Sequence, residues 1–190
     1  MLNALYQRLP DDGSQIRLIS FISSKDDTAE FKCSLAVVRL EDNPKYTALS
    51  YTWGDRTETR TARFNSQELA ITVSLYSALL QFSRDALPGT SLWADSVCIN
   101  QSDVAEKSHL IQAIGIIYES AEEVWVWLGK EADDSTYTMQ RIKEWATAFQ
   151  EYQYNPQVAL HSIKSSVNSR DSKALRSLMR RSWWKRLFTL

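Results

Sequence analysis

Val124-Trp125-Val126-Trp127-Leu128 decides the fold class, because this stretch is apolar at every position. A strand without a polar face is usually covered on both sides, as in a parallel sheet between two layers of helices. Residues 46–51 (YTALSY) and 91–95 (SLWAD) are predicted to form two earlier strands. The order strand, helix, strand, helix, strand then predicts two consecutive right-handed crossover units.

Two helices are predicted between these strands. Ser74 can cap the first helix, which stops near Pro88-Gly89. Asp103 and Glu106 have the spacing of a capping box at the start of the second. The predicted apolar faces are Leu75, Ala78, Leu79 and Phe82 in the first helix, and Leu110, Ile111, Ile114, Ile117, Tyr118 and Ala121 in the second.

The N-terminal part has a different pattern. Residues 16–22 and 31–38 alternate apolar and polar side chains, which is typical of half-buried antiparallel strands joined by a loop over 23–30. Residues 61–73, with a turn at Asn65-Ser66, fit either a hairpin or an excursion at a sheet edge. An antiparallel β addition is therefore expected ahead of the parallel core.

The C-terminal part is predicted to be helical. Residues 134–150 have helical apolar spacing, and Asn155-Pro156 interrupts it. A polar stretch, 161–171, precedes a further helix. The sequence ends in mid-pattern at residues 182–190, so we expect a truncation before the natural end of the domain.

The sequence therefore predicts one α/β domain over residues 1–190, with a mainly parallel central sheet in the middle of three layers. Residues 1–45 form the β-rich addition, 46–131 the βαβαβ core and 132–190 the helical segment. A chain of 190 residues with 44% hydrophobic residues is long enough for one such core.

The net charge and the lengths of the apolar runs limit the kinds of partner that the chain is expected to have. The net charge is −1, which gives no overall field for nucleic acid or an anionic membrane. No apolar run approaches the roughly 20 residues that span a bilayer, and no export signal opens the chain, so a cytoplasmic location is expected. The basic stretch 170–190, with Trp183 and Trp184, could touch nucleic acid or lipid, but such a stretch is more often the solvated face of a helix. Neither nucleic acid nor a membrane is therefore expected as a partner.

Ligands of open α/β sheets bind outside the carboxyl ends of parallel strands, and polar residues gather at three such ends here. Strand 46–51 leads into Thr52–Asp55, strand 91–95 into Ser96–Gln101, and strand 124–128 into Gly129–Glu131. Trp53, Asp95 and Lys130 are therefore expected to line one rim. The alternative is that these segments are simply polar turns.

Each residue at the rim has two interpretations. Asp95 could serve as an acid/base group or ribose ligand, or it could cap the following turn. Asn100 and Gln101 offer amides suited to a sugar or base edge, or they are turn residues. Trp53-Gly54 could supply a stacking platform beside flexible backbone, or a core side chain beside a turn glycine.

The sequence gives little support for other kinds of catalytic or metal-binding site. Cys98 with His109 suggests a thiol nucleophile, but no third group orients the pair, so a buried, inert cysteine is the better interpretation. With two histidines and two cysteines, a zinc site is not expected. The sequence also lacks the glycine-rich phosphate-binding patterns, the H-E-x-x-H pattern and the G-x-S-x-G pattern.

Three stretches resemble the fungal heterokaryon incompatibility (HET) domain. Residues 46–55 (YTALSYTWGD) resemble its first motif, and residues 92–101 (LWADSVCINQ), continuing to Gly129, resemble its second. Residues 182–186 (SWWKR) resemble the start of its third. Lys107, Leu110 and Ile114 depart from the usual pattern, mostly as changes in packing.

The resemblance implies a filamentous-fungal protein that triggers cell death when genetically different hyphae fuse. The HET family is thought to be distantly related to TIR domains, several of which cleave NAD. The resemblance therefore also implies a TIR/flavodoxin-like fold. By analogy with TIR enzymes, the principal catalytic glutamate would follow the third motif, just after Leu190. The chain is then expected to fold without that carboxylate.

Two functions follow from the resemblance. In the first, NAD is the substrate and no cofactor is needed: Asp95 and Asn100 are catalytic candidates. Substrate binding is assigned to Trp53, Gly54 and Gln101, with Ser50 and Asp55 of the first motif and Arg186 of the third. In the second, the domain is a non-catalytic death-signalling module that self-associates or binds a protein partner. Its site would be an apolar patch around Trp183, Trp184 and Phe188.

Overall fold

A computed structural model describes residues 5–22, 31–86, 89–152 and 155–187, and the chain divides into two compact units. The first unit, Met1–Trp127, contains a sheet with helices. Its elements are β1 (Gln15–Ile22), β2 (Lys32–Arg39), β3 (Thr47–Tyr51), β4 (Thr59–Phe64), β5 (Gln67–Thr72), α1 (Val73–Asp85), β6 (Ser91–Trp93), α2 (Asp95–Cys98), α3 (Val104–Gln112), α4 (Ile114–Glu119) and β7 (Glu123–Trp127).

The sheet has seven strands in the order β5-β4-β2-β1-β6-β3-β7. β3 lies between β6 and β7 and is parallel to both, as the two predicted crossover units require. β2 is parallel to β4, whereas the pairs β1–β2, β1–β6 and β4–β5 are antiparallel. The α/β class is confirmed, but the sheet is mixed rather than mainly parallel, because β1 joins the parallel block to the N-terminal strands in the opposite direction.

Helices cover both faces of the parallel block. The ring centroids of Phe82 in α1 and Trp125 are 4.7 Å apart, and those of Tyr118 in α4 and Trp93 are 5.6 Å apart. Ala48 pairs with Trp93, and Leu49, the next residue, pairs with Trp125. Because consecutive strand residues point to opposite faces, α1 and α4 lie on opposite sides of the sheet.

β7 is exposed on one face, although its apolar sequence predicted that it would be covered on both faces. It is the last strand of the sheet, and Val124 and Val126 are 46% and 43% exposed. Its other face, with Trp125, packs on the core. The prediction that this strand is covered on both sides is therefore wrong: α4 covers Ala48 and Trp93 on the inner strands but leaves the two edge valines in solvent.

The predicted hairpin and the N-terminal strand pair are confirmed. β4 and β5 pair antiparallel around Asn65 and Ser66, whose φ angles are +48° and +65°. The Asn65 side chain accepts a hydrogen bond from the Leu35 amide (3.0 Å) and donates one to its carbonyl (2.8 Å), which ties the turn to β2. The predicted loop over 23–30 lies outside the described residues.

The predicted apolar face of α1 is confirmed, since Leu75, Ala78, Leu79 and Phe82 are all buried. Its cap is Thr72 rather than Ser74, whose hydroxyl instead donates to the Thr52 carbonyl at 2.7 Å.

The second predicted helix is divided at Ala113 into α3 and α4. The predicted apolar face is confirmed only in part, since Leu110 and Ile117 are buried whereas Ile111 is 50% exposed.

The second unit, Leu128–Leu190, is helical as predicted. Its helices are α5 (Ser135–Glu151), α6 (Pro156–Ser166), α7 (Ser169–Met179) and α8 (Ser182–Leu187). The polar stretch 161–171 is mostly helical, because a capping box between Asn168 and Asp171 lets α7 begin soon after α6 ends. Across the described ranges of both units, no helix is long and apolar enough to cross a bilayer.

Asp171 is expected to make the second unit sensitive to acid. Hydrogen bonds from the Asn168 backbone amide, the Tyr137 hydroxyl and Arg141 lower the pKa of this carboxyl below 3.8. A lowered folded-state pKa gives stability that is present above the unfolded pKa and lost as pH falls through the folded pKa. Thermal unfolding between pH 7 and pH 3 should therefore show Asp171→Asn below the wild type at pH 7 and converging with it in acid.

The matched control is Glu151→Gln, which removes an exposed carboxylate at the end of α5. It should parallel the wild type across the pH range. A constant gap between Asp171→Asn and the wild type down to pH 3 would contradict the assignment.

Candidate functional site

Trp53 and Asp95 meet at the carboxyl ends of β3 and β6. The Trp53 indole Nε1 donates a hydrogen bond to Asp95 Oδ2 at 3.1 Å. The two residues are 42 positions apart in the chain and come together because β3 and β6 are parallel neighbours. The sequence predicted this juxtaposition from strand order, and the geometry confirms it. The roles assigned to the two residues stay predictions.

Asp95 begins a single helical turn rather than ending a strand. β6 stops at Trp93, and Asp95 is the first residue of α2. Its Oδ1 accepts a hydrogen bond from the Ser96 backbone amide at 2.8 Å. The N-cap of α2 is Ala94 and no side chain caps this turn, so the predicted capping role of Asp95 is wrong. An acidic residue in the first turn of a helix is nevertheless favoured by the helix dipole.

Tyr51 adds a phenol near Asp95 that was not predicted from the sequence. Its hydroxyl and Ser96 Oγ are 2.6 Å apart. Burial raises the pKa of Tyr51 well above its ordinary value, and the nearby Asp95 charge raises it further. The phenol therefore stays protonated in the folded chain. The only sequence signal was a tyrosine at the end of a strand whose next residues are polar.

Trp53 has a cation over its ring. The Arg56 guanidinium lies 4.5 Å from the ring centroid, which is the geometry of a cation–π contact. Gly54 follows with a φ of +70°, and a Cβ there would lie 3.4 Å from Ser74 Cβ. A nucleobase stacking on Trp53 would have to displace Arg56 or use the opposite face of the ring.

Asp55 and Ser50 are placed differently from Asp95. The Asp55 carboxylate accepts hydrogen bonds from the Thr57 amide (2.8 Å) and hydroxyl (2.6 Å). These bonds lower the pKa of this exposed carboxyl and close a local turn. Ser50 is half-buried on β3, paired in register with Val126. Substrate contacts by either residue stay predictions.

Asn100 and Gln101 belong to the segment after α2. Gln101 Nε2 donates to the backbone carbonyls of Asp95 (3.0 Å) and Ile99 (3.4 Å). Asn100 Oδ1 accepts a hydrogen bond from the Ser102 amide at 3.2 Å. Gln101 is thus bound back onto the Asp95 turn, and both amides shape the loop as the turn interpretation anticipated.

Two further predicted residues belong to the second unit. Arg186 lies in α8, and Lys130 lies just after the start of that unit. The predicted place of Lys130 at the rim and the predicted substrate contact of Arg186 stay predictions.

The two cysteines are expected to be inert in the folded chain. Cys33 and Cys98 are 1% and 0% exposed, and burial raises the pKa of each thiol to about 12. At pH 8 a thiol-disulfide reagent should react with neither cysteine natively and with both after denaturation, because the thiolate is the reactive form. Rapid native reaction of Cys98 would revive the nucleophile hypothesis.

The described residues contain no cluster of side chains suited to binding a metal ion. Within residues 5–22, 31–86, 89–152 and 155–187, no group of three or more His, Cys, Asp or Glu side chains could hold an ion. His109 Nδ1 lies 3.9 Å from Asp11 Oδ1, at the limit of an ion pair.

Comparison with known proteins follows the same segments. A family model described as "Heterokaryon incompatibility protein (HET)" matches residues 46–190. The chain is 34% identical to "Heterokaryon incompatibility protein 6, OR allele" of Neurospora crassa, over 72% of this chain and 22% of that relative. The chain thus spans about a fifth of that relative's length. No solved structure matches.

Proposed function

The chain belongs to the heterokaryon incompatibility (HET) family, and from that membership we propose that it acts in fungal nonself recognition by triggering cell death. The relative that carries this name in Neurospora crassa supports the biological role. The proposed location is the cytoplasm, where fused hyphae mix their contents.

We further propose that the effector reaction is NAD cleavage at the carboxyl ends of β3 and β6. The observation that carries this proposal is the Trp53–Asp95 hydrogen bond of 3.1 Å, because it brings an aromatic ring and a carboxylate together at the ligand-binding end of two parallel strands. A TIR/flavodoxin-like relationship of the parallel block is part of the same proposal.

The proposed reaction is hydrolysis of the bond between nicotinamide N1 and ribose C1′. The bonding electrons leave with nicotinamide, which becomes neutral, and positive charge develops at C1′. Water adds at C1′ and loses a proton, giving ADP-ribose. The Asp95 carboxylate would stabilise the developing positive charge, while Trp53 contacts the nicotinamide or base and Asn100 contacts ribose hydroxyls.

The test is release of nicotinamide from NAD by the 190-residue chain and by a longer chain that continues past Leu190. Turnover by the longer chain at high protein concentration supports the proposal. Binding of NAD by the shorter chain, with slower or no turnover, fits a catalytic carboxylate beyond Leu190. If neither chain binds NAD and neither releases nicotinamide, the proposed enzymatic activity is eliminated.

A specific observation also favours the non-catalytic alternative. Val124 and Val126 form an exposed apolar pair on the edge strand β7, where another chain could add a strand. The apolar patch predicted from the sequence around Trp183, Trp184 and Phe188 is less suited to this role. Trp183 and Trp184 are half-buried, Trp184 donates to the Leu178 carbonyl at 3.0 Å, and Phe188 lies outside the described residues.

The two functions are separated by one substitution on the edge strand. Val126→Lys places a charge on the exposed face and should block strand addition without touching Asp95. Loss of cell death with unchanged nicotinamide release would favour the interaction module. Retained cell death would remove β7 as its docking edge.

A further inference from the structure

We propose that Arg17 and Glu106 are positioning residues that hold the Asn100 segment at the rim of the candidate site. This inference rests on the proposed function, because it assigns the support of a residue that would contact the substrate. Neither residue was predicted to act there. Arg17 was a charged residue inside a strand, and Glu106 was expected to cap a helix.

The ion pair between them is buried and two-pronged. Arg17 Nη1 donates to Glu106 Oε1 at 2.6 Å, and Nη2 donates to Oε2 at 2.9 Å. The Arg17 and Glu106 side chains are only 1% and 7% exposed. Burying two charges is costly unless their geometry is good, and the two parallel hydrogen bonds supply that geometry. Arg17 Nε is buried without a hydrogen-bond partner among the described residues.

Both partners also bind the backbone of the site loop. Glu106 Oε1 accepts a hydrogen bond from the Asn100 amide at 2.7 Å, and Arg17 Nη1 donates to the Cys98 carbonyl at 3.1 Å. The short segment from Asp95 to Asn100 is thus fixed at its far end by the ion pair. Its near end is fixed by the Asp95 contacts with Trp53 and Ser96.

The same guanidinium recruits the N-terminal segment to this loop. Arg17 Nη2 donates to the Gln7 carbonyl, and the guanidinium lies 5.0 Å from the centroid of the Tyr6 ring. Tyr6 in turn donates its hydroxyl to the Val97 carbonyl at 3.1 Å. Tyr6, Gln7 and Arg17 all precede residue 46, where the HET family model begins to match. The site therefore depends on a part of the chain outside that match.

The functional consequence concerns the Asn100 side chain. The position of this amide follows from its backbone, which the Glu106 bond holds. When that bond is lost, the loop can open without unfolding the sheet, and the amide no longer meets the ribose in one fixed place. Arg17 acts one step further away, because its two-pronged contact fixes the orientation of the Glu106 carboxylate.

The experiment is hydrogen exchange of the Asn100 backbone amide, followed by NMR in the ¹⁵N-labelled 190-residue chain. In Glu106→Gln we expect exchange to be faster by at least about tenfold, because a charge-assisted hydrogen bond is replaced by a weaker neutral one. Arg17→Lys keeps a charge but loses the fork, and should fall between the wild type and Glu106→Gln. Each rate is compared with that of the Leu49 amide in β3.

Tyr46→Phe is the control for a merely structural role. It removes a buried hydroxyl that donates to the Ile117 carbonyl in the same unit, without touching the Asn100 loop. In this variant the Asn100 and Leu49 rates should change together. If they also change together in Glu106→Gln and Arg17→Lys, or if neither changes, the positioning role is overturned.

Nicotinamide release separates this inference from the proposed function. If the longer wild-type chain cleaves NAD, Glu106→Gln should lower kcat/KM by at least about tenfold, since a loosened contact weakens transition-state binding. Unchanged kcat/KM with faster Asn100 exchange overturns the role in catalysis. If the wild type does not cleave NAD, the proposed function fails, and the exchange ratio alone decides whether the ion pair holds the loop.

Discussion

In the longer chain used for the turnover test, Asp95→Ala is expected to abolish the incompatibility response and to lower nicotinamide release by at least about 100-fold, because it removes the charge proposed to stabilise C1′. Folding should survive. The substitution costs the hydrogen bonds from Trp53 Nε1 and the Ser96 amide, a loss of about 1–3 kcal/mol in the free energy of unfolding. Thermal unfolding and cell viability on expression in a fungal host measure the two effects separately.

Two variants make this result specific. Asp95→Asn keeps an oxygen that can accept the Trp53 hydrogen bond but removes the charge, so it should fold nearly as the wild type and still be inactive. Asp85→Ala removes an exposed carboxylate at the end of α1 and should leave both readouts unchanged. Full cell death in Asp95→Ala would contradict the proposed site.

Arg17→Met is expected to lower the free energy of unfolding by about 3–5 kcal/mol, the usual cost of leaving one member of a buried ion pair unpaired. The Glu106 carboxylate would remain 7% exposed, with the Asn100 amide donating to it but without its cation. Denaturant unfolding of the 190-residue chain measures the change in midpoint.

The double variant Arg17→Met/Glu106→Leu tests the cause of that loss. Removing both charges removes the desolvation cost, so much of the stability should return, although the Asn100 amide loses its acceptor. A loss below about 1 kcal/mol in Arg17→Met would show instead a pair as weak as an exposed one.

The order of strands in the core could be predicted from the sequence, but the environment of each strand could not. Residues 124–128 are apolar throughout, and this pattern identified a strand parallel to its neighbour. It could not show that β7 is the edge of the sheet, because burial of Val124 and Val126 depends on how far α4 extends across it. Likewise, β1 reverses direction beside β6, and no local pattern encodes that pairing.

The candidate site divides in the same way. Trp53 and Asp95 were predicted together because the ends of neighbouring parallel strands meet at one edge of a sheet. Glu106 fits the local capping-box rule, yet its carboxylate bonds to Arg17, 89 positions away, and to the Asn100 amide, while the Asp103 amide donates to the Asn100 carbonyl. The sequence clue to Arg17 was its place within the otherwise apolar 16–19 of β1, but a clue of this kind names no partner.

The most direct test of the Trp53–Asp95 site is an NMR titration of the ¹⁵N-labelled tryptophan indoles with NAD. The chain has seven tryptophans, and Trp53→Phe identifies the Trp53 signal. We expect a saturable shift of the Trp53 indole N–H signal, which is lost in Asp95→Ala. No shift at saturating NAD, or a shift confined to Trp183 and Trp184, would contradict it.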